Sequence, residues 1–480
     1  MRQALKNFFS RYRPRHVRSI VYMLQASEYN IRDFLKWYWR TKNFSNVEKR
    51  KRLEKTAKAK LLLLFGGIFL IVYIAAALVV FNFIPYPYKI FFLAVLLYAM
   101  PYILVLLLAV FLFLGQNLLQ KPYEFFIIKK AREKLLRHKA IKIAIAGSFG
   151  KTSMREILKT ILSEGKKVAA PGHSHNTPIA IGKFIESLKG DEEVLIFELG
   201  EYYPGDIRKL CNLVRPQYGF ITGINEAHLD RFRTLSSTVQ TIFELSEFVP
   251  DNSIYINVEN VLARENAKSE FIVYSRKGVN GWKILNPKTD LSGTSFILKK
   301  DNIKIKMESS LLGLHQIGPL SAAADMAFLL GLTPEQIQKG VKKTKPFDHR
   351  LEPKMDSSGV ITLDDSYNGN PDGVGAVIDF LASLKNHRRF YVTPGLVEMS
   401  SRTDVVHKEI GDKLAKAQIE KVILIKNSVT PYIERGLKEA GFKGEIRWFN
   451  DALSAFNALP SLTVKGDIVL LQNDWPDQYA

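Results

Sequence analysis

The sequence holds a single cysteine, Cys211, among 480 residues. One thiol excludes an intramolecular disulfide and any zinc site built from clustered cysteines. Cys211 lies in a stretch, 206–214, whose apolar spacing reads as a helix, so a packed and inert thiol is expected. Charge is missing from two long runs: residues 61–83 and 90–114 contain no Asp, Glu, Lys or Arg. Each exceeds the roughly 20 apolar residues that a bilayer core requires, and buried core helices rarely stay apolar on every face at this length. The break at 84–89 is short, proline-containing and aromatic, as at a membrane interface. A two-helix transmembrane hairpin over 61–115 is therefore expected. Internal repeats and low-complexity tracts are also missing, which excludes solenoid architectures.

Acidic residues are scarce: 47 Asp and Glu face 68 Lys and Arg, a formal net charge of +21. The excess is concentrated at the front, where residues 1–60 hold 17 Lys/Arg and 4 Asp/Glu. Such an arm suits nucleic acid or anionic lipid headgroups. The apolar runs directly behind it select the lipid, so a membrane partner and no nucleic acid are expected. Basic residues also follow the second run, at 121–139, which places both ends of the hairpin in the cytoplasm and the protein at the inner membrane. Within the arm, residues 20–39 carry apolar and aromatic side chains at near-helical spacing, which fits an interfacial helix or a small helical bundle. The first apolar run begins too far in for a cleaved signal peptide. A chain of this length asks for two or three domains. The expected division is a basic arm at 1–60, the hairpin at 61–115, a central domain at 116–345 and a C-terminal domain at 346–480.

The remainder reads as α/β. Residues 141–146 form a short buried strand pattern, 147–153 a glycine-containing loop, and 154–163 a helix. Apolar runs at 194–197 and 218–221 alternate with helical stretches, which predicts a mostly parallel sheet with helices on both faces. Antiparallel strands are expected around 253–258, 271–274 and 295–306, then helices at 321–330 and 334–343. From about 346 the alternation restarts, with strands at 360–363, 389–393, 422–425 and 468–471 and helices at 373–384, 405–417 and 431–440. That predicts a second, Rossmann-like α/β domain.

The strongest chemical signal is Gly147-Ser148-Phe149-Gly150-Lys151-Thr152-Ser153. Glycines let a backbone curl so that successive N–H groups face phosphate oxygens, and the helix that follows adds its positive end. Lys151 can reach β- and γ-phosphates, and the hydroxyl of Thr152 or Ser153 can ligate magnesium. The loop is shorter than the full pattern, because Ile145 stands where a glycine would open it. A strand before and a helix after supply the context such a loop needs.

With this loop, several further stretches fall in a recognisable order. They are Phe197-Glu198-Leu199-Gly200 with Gly205-Asp206-Ile207, then Ile221-Thr222-Gly223-Ile224-Asn225-Glu226-Ala227-His228-Leu229. Gly313-Leu314-His315, His349-Arg350-Leu351-Glu352 and Asp364-Asp365-Ser366-Tyr367-Asn368-Gly369-Asn370-Pro371 follow. Together they resemble the Mur ligase family, most closely its D-alanyl-D-alanine-adding type. The resemblance implies an ATP-dependent amide ligase of cell-wall precursor synthesis that works through an acyl phosphate. It implies that Thr152 and Glu198 hold one magnesium, that His228 helps hold a second, and that Lys151 and Arg350 supply fixed positive charge around the phosphates. Asp365 would contact the ribose, His315 would sit near the nucleotide or a hinge, and Asn368 and Asn370 would line the cleft between the two domains.

The chain departs from that pattern at five places. Asn usually stands where Phe149 stands. A carbamylated, metal-bridging lysine is expected shortly after His228, but residues 238–248 contain none. The adenine-contacting Asn expected after His315 falls at Gly318-Pro319, and a Lys-Gly-Ser is replaced by Gln472-Asn473-Asp474. The basic arm and hairpin stand where a UDP-sugar-gripping domain is usual. The carboxylate substrate is then a small-molecule or a lipid-linked cell-wall precursor, and a different envelope or poly-amino-acid substrate, or a scaffold role, is the alternative.

Overall fold

The computed structural model describes residues 2–44, 47, 52–86, 88–172, 175–225, 232, 234–367, 369–397, 399 and 402–473. The chain divides into two compact units, 1–125 and 126–475, apart from its last five residues.

In the first unit, helices Ala57–Phe83 and Tyr88–Gly115 pair, with Phe65 stacked on Phe111 at 4.1 Å between ring centroids. Thr56 caps the first of them, its hydroxyl accepting from the Ala59 N–H. Both are long and apolar enough to cross a membrane. One side of the pair is covered by helices His16–Ala26 and Ile31–Arg40, whose Ile20, Met23, Leu24, Phe34 and Tyr38 join Leu62, Leu104 and Leu108 in one buried cluster. Residues 20–39 thus take the helical-bundle form of the two alternatives. Gly66 permits the approach, since a Cβ there would lie 2.7 Å from Val17 Cγ1. The rest of the pair, including Ile71, Val79, Phe83, Ile90 and Phe91, is exposed.

The second unit carries two sheets. The larger contains β1 (Ile141–Ala146), β2 (Val168–Ala169), β3 (Val194–Glu198), β4 (Tyr218–Ile221), β5 (Ile254–Asn257), β6 (Ile272–Ser275), β7 (Gly278–Val279), β8 (Trp282–Asp290), β9 (Gly293–Lys300) and β10 (Ile303–Ser309), in the order 10-9-8-7-6-5-4-1-3-2. β1 lies between β3 and β4, parallel to both. Its alternate residues feed two cores. Ile143 and Ile145 pack with the helices Lys151–Leu162 and Ile317–Leu329, whereas Ala144 and Ala146 pack with Pro178–Ser187 and Asp206–Val214. Both faces are covered, which is why the strand reads as apolar sequence from Ile143 to Ala146.

One expectation is corrected here. β5 and β6 pair parallel, as extensions of the β4 side, and antiparallel pairing begins only at β7. The short helix Val261–Glu265 supplies the crossover that a parallel pair needs. The reversal into β7 and β8 turns on Gly278, at φ 142°, where a Cβ would lie 1.9 Å from the Trp282 carbonyl oxygen. Buried Asp325 ties this meander to the parallel part, accepting from Tyr255 Oη at 2.6 Å and Trp282 Nε1 at 2.9 Å.

The smaller sheet contains β11 (Glu352–Met355), β12 (Ile361–Asp365), β13 (Arg389–Thr393), β14 (Lys421–Ile425), β15 (Glu445–Phe449) and β16 (Ile468–Gln472), in the order 11-12-16-13-14-15. All its pairs are parallel except β11 with β12. Helices cover both faces, and β13 again divides its side chains between two cores, Tyr391 on one side and Phe390 and Val392 on the other.

Candidate active site

The phosphate loop leaves the C-terminal end of β1, the edge at which ligands bind in open α/β sheets. Gly147 has φ 144°, and a Cβ there would lie 2.3 Å from Thr222 Oγ1 and 3.0 Å from the Gly223 carbonyl oxygen. No larger residue fits between β1 and the loop after β4. The Ser148 N–H donates to the Gly223 carbonyl at 2.7 Å, and Thr222 Oγ1 donates to the Phe149 carbonyl. The distal edge of the Phe149 ring, Cζ with its two Cε atoms, lies against Gly223. Gly150, at φ 77°, then opens the helix Lys151–Leu162 with no side-chain cap on its first turn. The N–H groups of that turn, Ser153 among them, face outward from the helix end.

Lys151 Nζ donates to Glu201 Oε1 at 2.7 Å and also to the Gly147 carbonyl. Thr152 Oγ1 donates to Glu198 Oε2 at 3.0 Å. Glu198 ends β3 beside β1, and only 4% of it is exposed. Its carboxylate also accepts from Arg155 Nη1 at 3.2 Å and from Asn176 Nδ2 at 3.4 Å. Lys151, Thr152 and Glu198 are therefore together, as the sequence suggested. Arg155, Asn176, Glu201 and Thr222 complete the cluster and were missed. Arg155 had a usable signal: it sits four residues after Lys151, on the same helix face. Glu201 stands one residue beyond the quoted Phe197–Gly200 segment, and nothing in the sequence pointed to Asn176.

From the second α/β domain comes Arg350. Its guanidinium carbon lies 4.9 Å from the centre of the Tyr367 ring. Burial lowers its pKa, against the opposing charges of Asp365, Tyr367 and Glu198. Glu198 therefore feels cations from both domains. Asp365 is held by the Leu351 N–H at 3.0 Å and Gln472 Nε2 at 2.8 Å, and burial raises its pKa despite these partners and Arg350. Gln472, which stands where a lysine was expected, thus anchors the proposed ribose-contacting carboxylate. Asn370 caps the helix Pro371–Ser383 and accepts from Asn225 Nδ2 at 2.9 Å, a direct bond between the two domains. His315 lies in the turn before Ile317–Leu329, where its contacts are with Gln316 and the charges of Arg276 and Asp379 rather than the loop. Burial, with Arg276 adding to it, lowers its pKa to about 4. His228 and Asn368 fall outside the described residues.

The donor set fits a magnesium nucleotide. Ser148 Oγ and Asn176 Oδ1 are buried without a hydrogen-bond partner, and the uncapped helix end faces the same loop. Among the described residues no group of three or more His, Cys, Asp or Glu could hold a metal unaided. One carboxylate and one hydroxyl beside phosphate oxygens is the style of magnesium, which keeps few protein ligands. Thr152 and Glu198 would hold the ion, and Lys151 and Arg350 would balance the triphosphate.

A loop of this kind, cradled between two α/β domains that each contribute a cation, defines a class of nucleotide-using two-domain enzymes. The profile of the Mur ligase middle domain matches residues 145–327, and that of the Mur ligase glutamate ligase domain matches 349–472. The chain belongs to the Mur ligase family, ATP-dependent enzymes that form C–N bonds. It is similar to the UDP-N-acetylmuramoyl-tripeptide–D-alanyl-D-alanine ligase of Bacillus subtilis (strain 168), 23% identical over 69% of this chain and 72% of that enzyme. The Escherichia coli (strain K12) enzyme of the same name is 26% identical over 59% of this chain, and the match spans 64% of that enzyme's length. The same fold is seen in MurF from Thermotoga maritima in complex with ADP, with a TM-score of 0.64 and 22% identity, covering 73% of this chain and 80% of that one. MurF from Acinetobacter baumannii also has a TM-score of 0.64, at 20% identity over 73% of this chain and 77% of that one.

Proposed function

We propose that this chain is an ATP-dependent amide ligase of cell-wall precursor synthesis, of the D-alanyl-D-alanine-adding type, held at the inner face of the cell membrane by its apolar helix pair. The observation that carries the reading is the joining of Lys151, Thr152 and Glu198 at the phosphate loop with Arg350 from the second domain. ATP would activate a substrate carboxylate as an acyl phosphate, which an amine then attacks. The chain's own part is to hold the phosphates on the loop amides, to neutralise them with Lys151 and Arg350, and to keep water out between the domains. The exposed apolar helices and the basic arm suit a bilayer and its anionic headgroups. With that front end, the acceptor is a muramoyl peptide that is either soluble or lipid-linked.

The test is ADP release by the detergent-purified chain with UDP-linked and lipid-linked muramoyl tripeptides, each with D-alanyl-D-alanine or single amino acids. Release that needs both a muramoyl tripeptide and D-alanyl-D-alanine supports the reading, and its absence with every pair overturns it. Recovery of the chain from membranes after carbonate washing tests the anchor, and free recovery in the soluble fraction removes it.

A further inference from the structure

In the first unit, the buried side-chain atoms without a hydrogen-bond partner among the described residues lie in one place: Arg11 Nε, His16 Nδ1 and Nε2, and Tyr38 Oη. All three side chains surround the same ring. The His16 ring meets Phe44 edge-on with 4.9 Å between centres, the Tyr38 ring lies 5.0 Å from it, and the Arg11 guanidinium carbon 5.7 Å. Phe44 is fixed there by its N–H, which donates to Ser10 Oγ at 3.0 Å. An aromatic face is at best a weak partner for N–H and O–H groups. A group of buried, unsatisfied polar atoms is what native structures avoid unless something occupies the site.

Their chemistry selects an anion. Among the described residues no carboxylate acts on the group: the charges felt by His16 and Tyr38 are those of Arg11, Tyr12 and Tyr102. Arg11 Nη1 donates to Tyr102 Oη at 2.6 Å rather than to an acid. Burial, with Arg11 adding to it, lowers the His16 pKa to about 4, so the ring is neutral and donates from one nitrogen. Burial raises the Tyr38 pKa to about 12 against the charge of Arg11, so the hydroxyl keeps its proton. The Arg11 Nε–H, one His16 N–H and the Tyr38 O–H are therefore three donors around an unbalanced positive charge. A water molecule accepts from two of them and leaves the charge unbalanced. A phosphate has oxygens for all three and carries the opposing charge.

The position selects a lipid as the source. The cluster lies where the arm meets the exposed half of the helix pair. Phe8 stacks on Tyr98 there, Trp39 stacks on Tyr102 with 5.8 Å between ring centres, and both Trp39 and Phe9 are exposed. Tryptophan and tyrosine gather at the height of the headgroups in membrane proteins. Arg13 and Arg15, both exposed, add to the attraction for anionic headgroups.

We propose that Arg11, His16 and Tyr38 form a binding site for the phosphate of an anionic lipid, at the border between the basic arm and the apolar helix pair. The inference rests on the bilayer reading above and deepens it: that reading asks for attraction spread over the arm, this one for a single lipid in a single place.

Native mass spectrometry of the full detergent-purified chain, with phosphatidylglycerol added, counts the lipids that stay bound. The wild-type chain is expected to keep a single phosphatidylglycerol at concentrations where phosphatidylcholine is not kept. Tyr38→Phe removes only the hydroxyl, and His16→Phe keeps a ring of similar shape; each is expected to bind the lipid about tenfold more weakly, the loss of one hydrogen bond to a charged group. Arg11→Gln is expected to lose the lipid, and Arg13→Gln, outside the cluster, to keep it. Equal retention by the wild-type, Tyr38→Phe and Arg11→Gln chains overturns the proposal, as does equal loss in Arg13→Gln. Displacement of the lipid by inorganic phosphate at the same concentration overturns the lipid as the source. A chain recovered in the soluble fraction fails the bilayer reading itself, whereas a membrane-bound chain with equal retention fails the site alone.

Discussion

Gly223→Ala tests the packing that shapes the phosphate loop. A Cβ at Gly223 would lie 2.3, 2.5 and 2.9 Å from Cζ, Cε1 and Cε2 of Phe149. Non-bonded carbons rest about 3.5–4.0 Å apart, so the ring would have to retreat by ~1 Å or more. It cannot do so freely, because the Phe149 carbonyl accepts from Thr222 Oγ1 and Gly150 beyond it sits at φ 77°. Overpacking of this kind costs about 1–3 kcal/mol. Urea unfolding should show that loss, and because the strain falls on the loop itself, a fluorescent ATP analogue should bind about tenfold more weakly, which corresponds to ~1.4 kcal/mol. The double change Phe149→Ala with Gly223→Ala removes the ring that clashes. It should be more stable than the sum of the single effects by about 1 kcal/mol or more. A Gly223→Ala protein with wild-type stability and affinity, or strict additivity in the cycle, would refute the idea that Phe149 and Gly223 act as a matched pair.

Arg155→Met leaves the Glu198 carboxylate buried without its guanidinium, and chemical denaturation should show a loss of about 3–5 kcal/mol that adding Glu198→Gln largely recovers. His315 has its folded pKa lowered to about 4 from an ordinary value near 6.5, so below pH 6.5 the unfolded chain binds a proton that the folded one does not. Stability is therefore full above about pH 6.5 and falls as the pH drops toward 4; His315→Gln should flatten that part of the pH–stability curve, and an unchanged curve would remove His315 as its source.

The parallel strands were legible because burial on both faces leaves an unmistakable apolar run, as in residues 143–146, and the loop because glycine spacing has a direct geometric meaning. The direction of pairing was legible for these but not for β5 and β6. β5 and β6 read as antiparallel because only a five-residue helix joins them, too short to register in an apolar pattern. Within the site, Lys151, Thr152 and Glu198 were visible as types in order. Of their charge partners, Arg155 had only its helical spacing from Lys151 to mark it, and both it and Glu201 act through contacts across 43 and 50 positions of sequence. The Phe149 departure reads as a lost asparagine until the structure sets the ring against Gly223, after which the two positions become one arrangement.

Local backbone strain sets where Arg350 lies. His349 and Leu351, on either side of it, have φ of 62° and 49°, left-handed conformations that cost roughly 1–2 kcal/mol per residue outside glycine. Such strain persists only where neighbours over-determine it. Here they do: Asp365 accepts the Leu351 N–H, Asp364 Oδ2 lies 2.8 Å from His349 Nδ1, and the Tyr367 N–H donates to the His349 carbonyl at 3.2 Å. Burial would raise the Asp364 pKa, but hydrogen bonds from Ser366, Lys354 and His349 outweigh it and bring it to about 2, so this anchor stays charged. The strained segment turns the chain so that Arg350 lies over Tyr367 and its charge acts on Glu198. An unstrained strand through 349–351 would alternate its side chains and could not place that guanidinium while β11 keeps its register with β12. On the proposed reading, the second domain's cation would belong to the phosphate site by construction, and neither domain would carry a balanced nucleotide site alone.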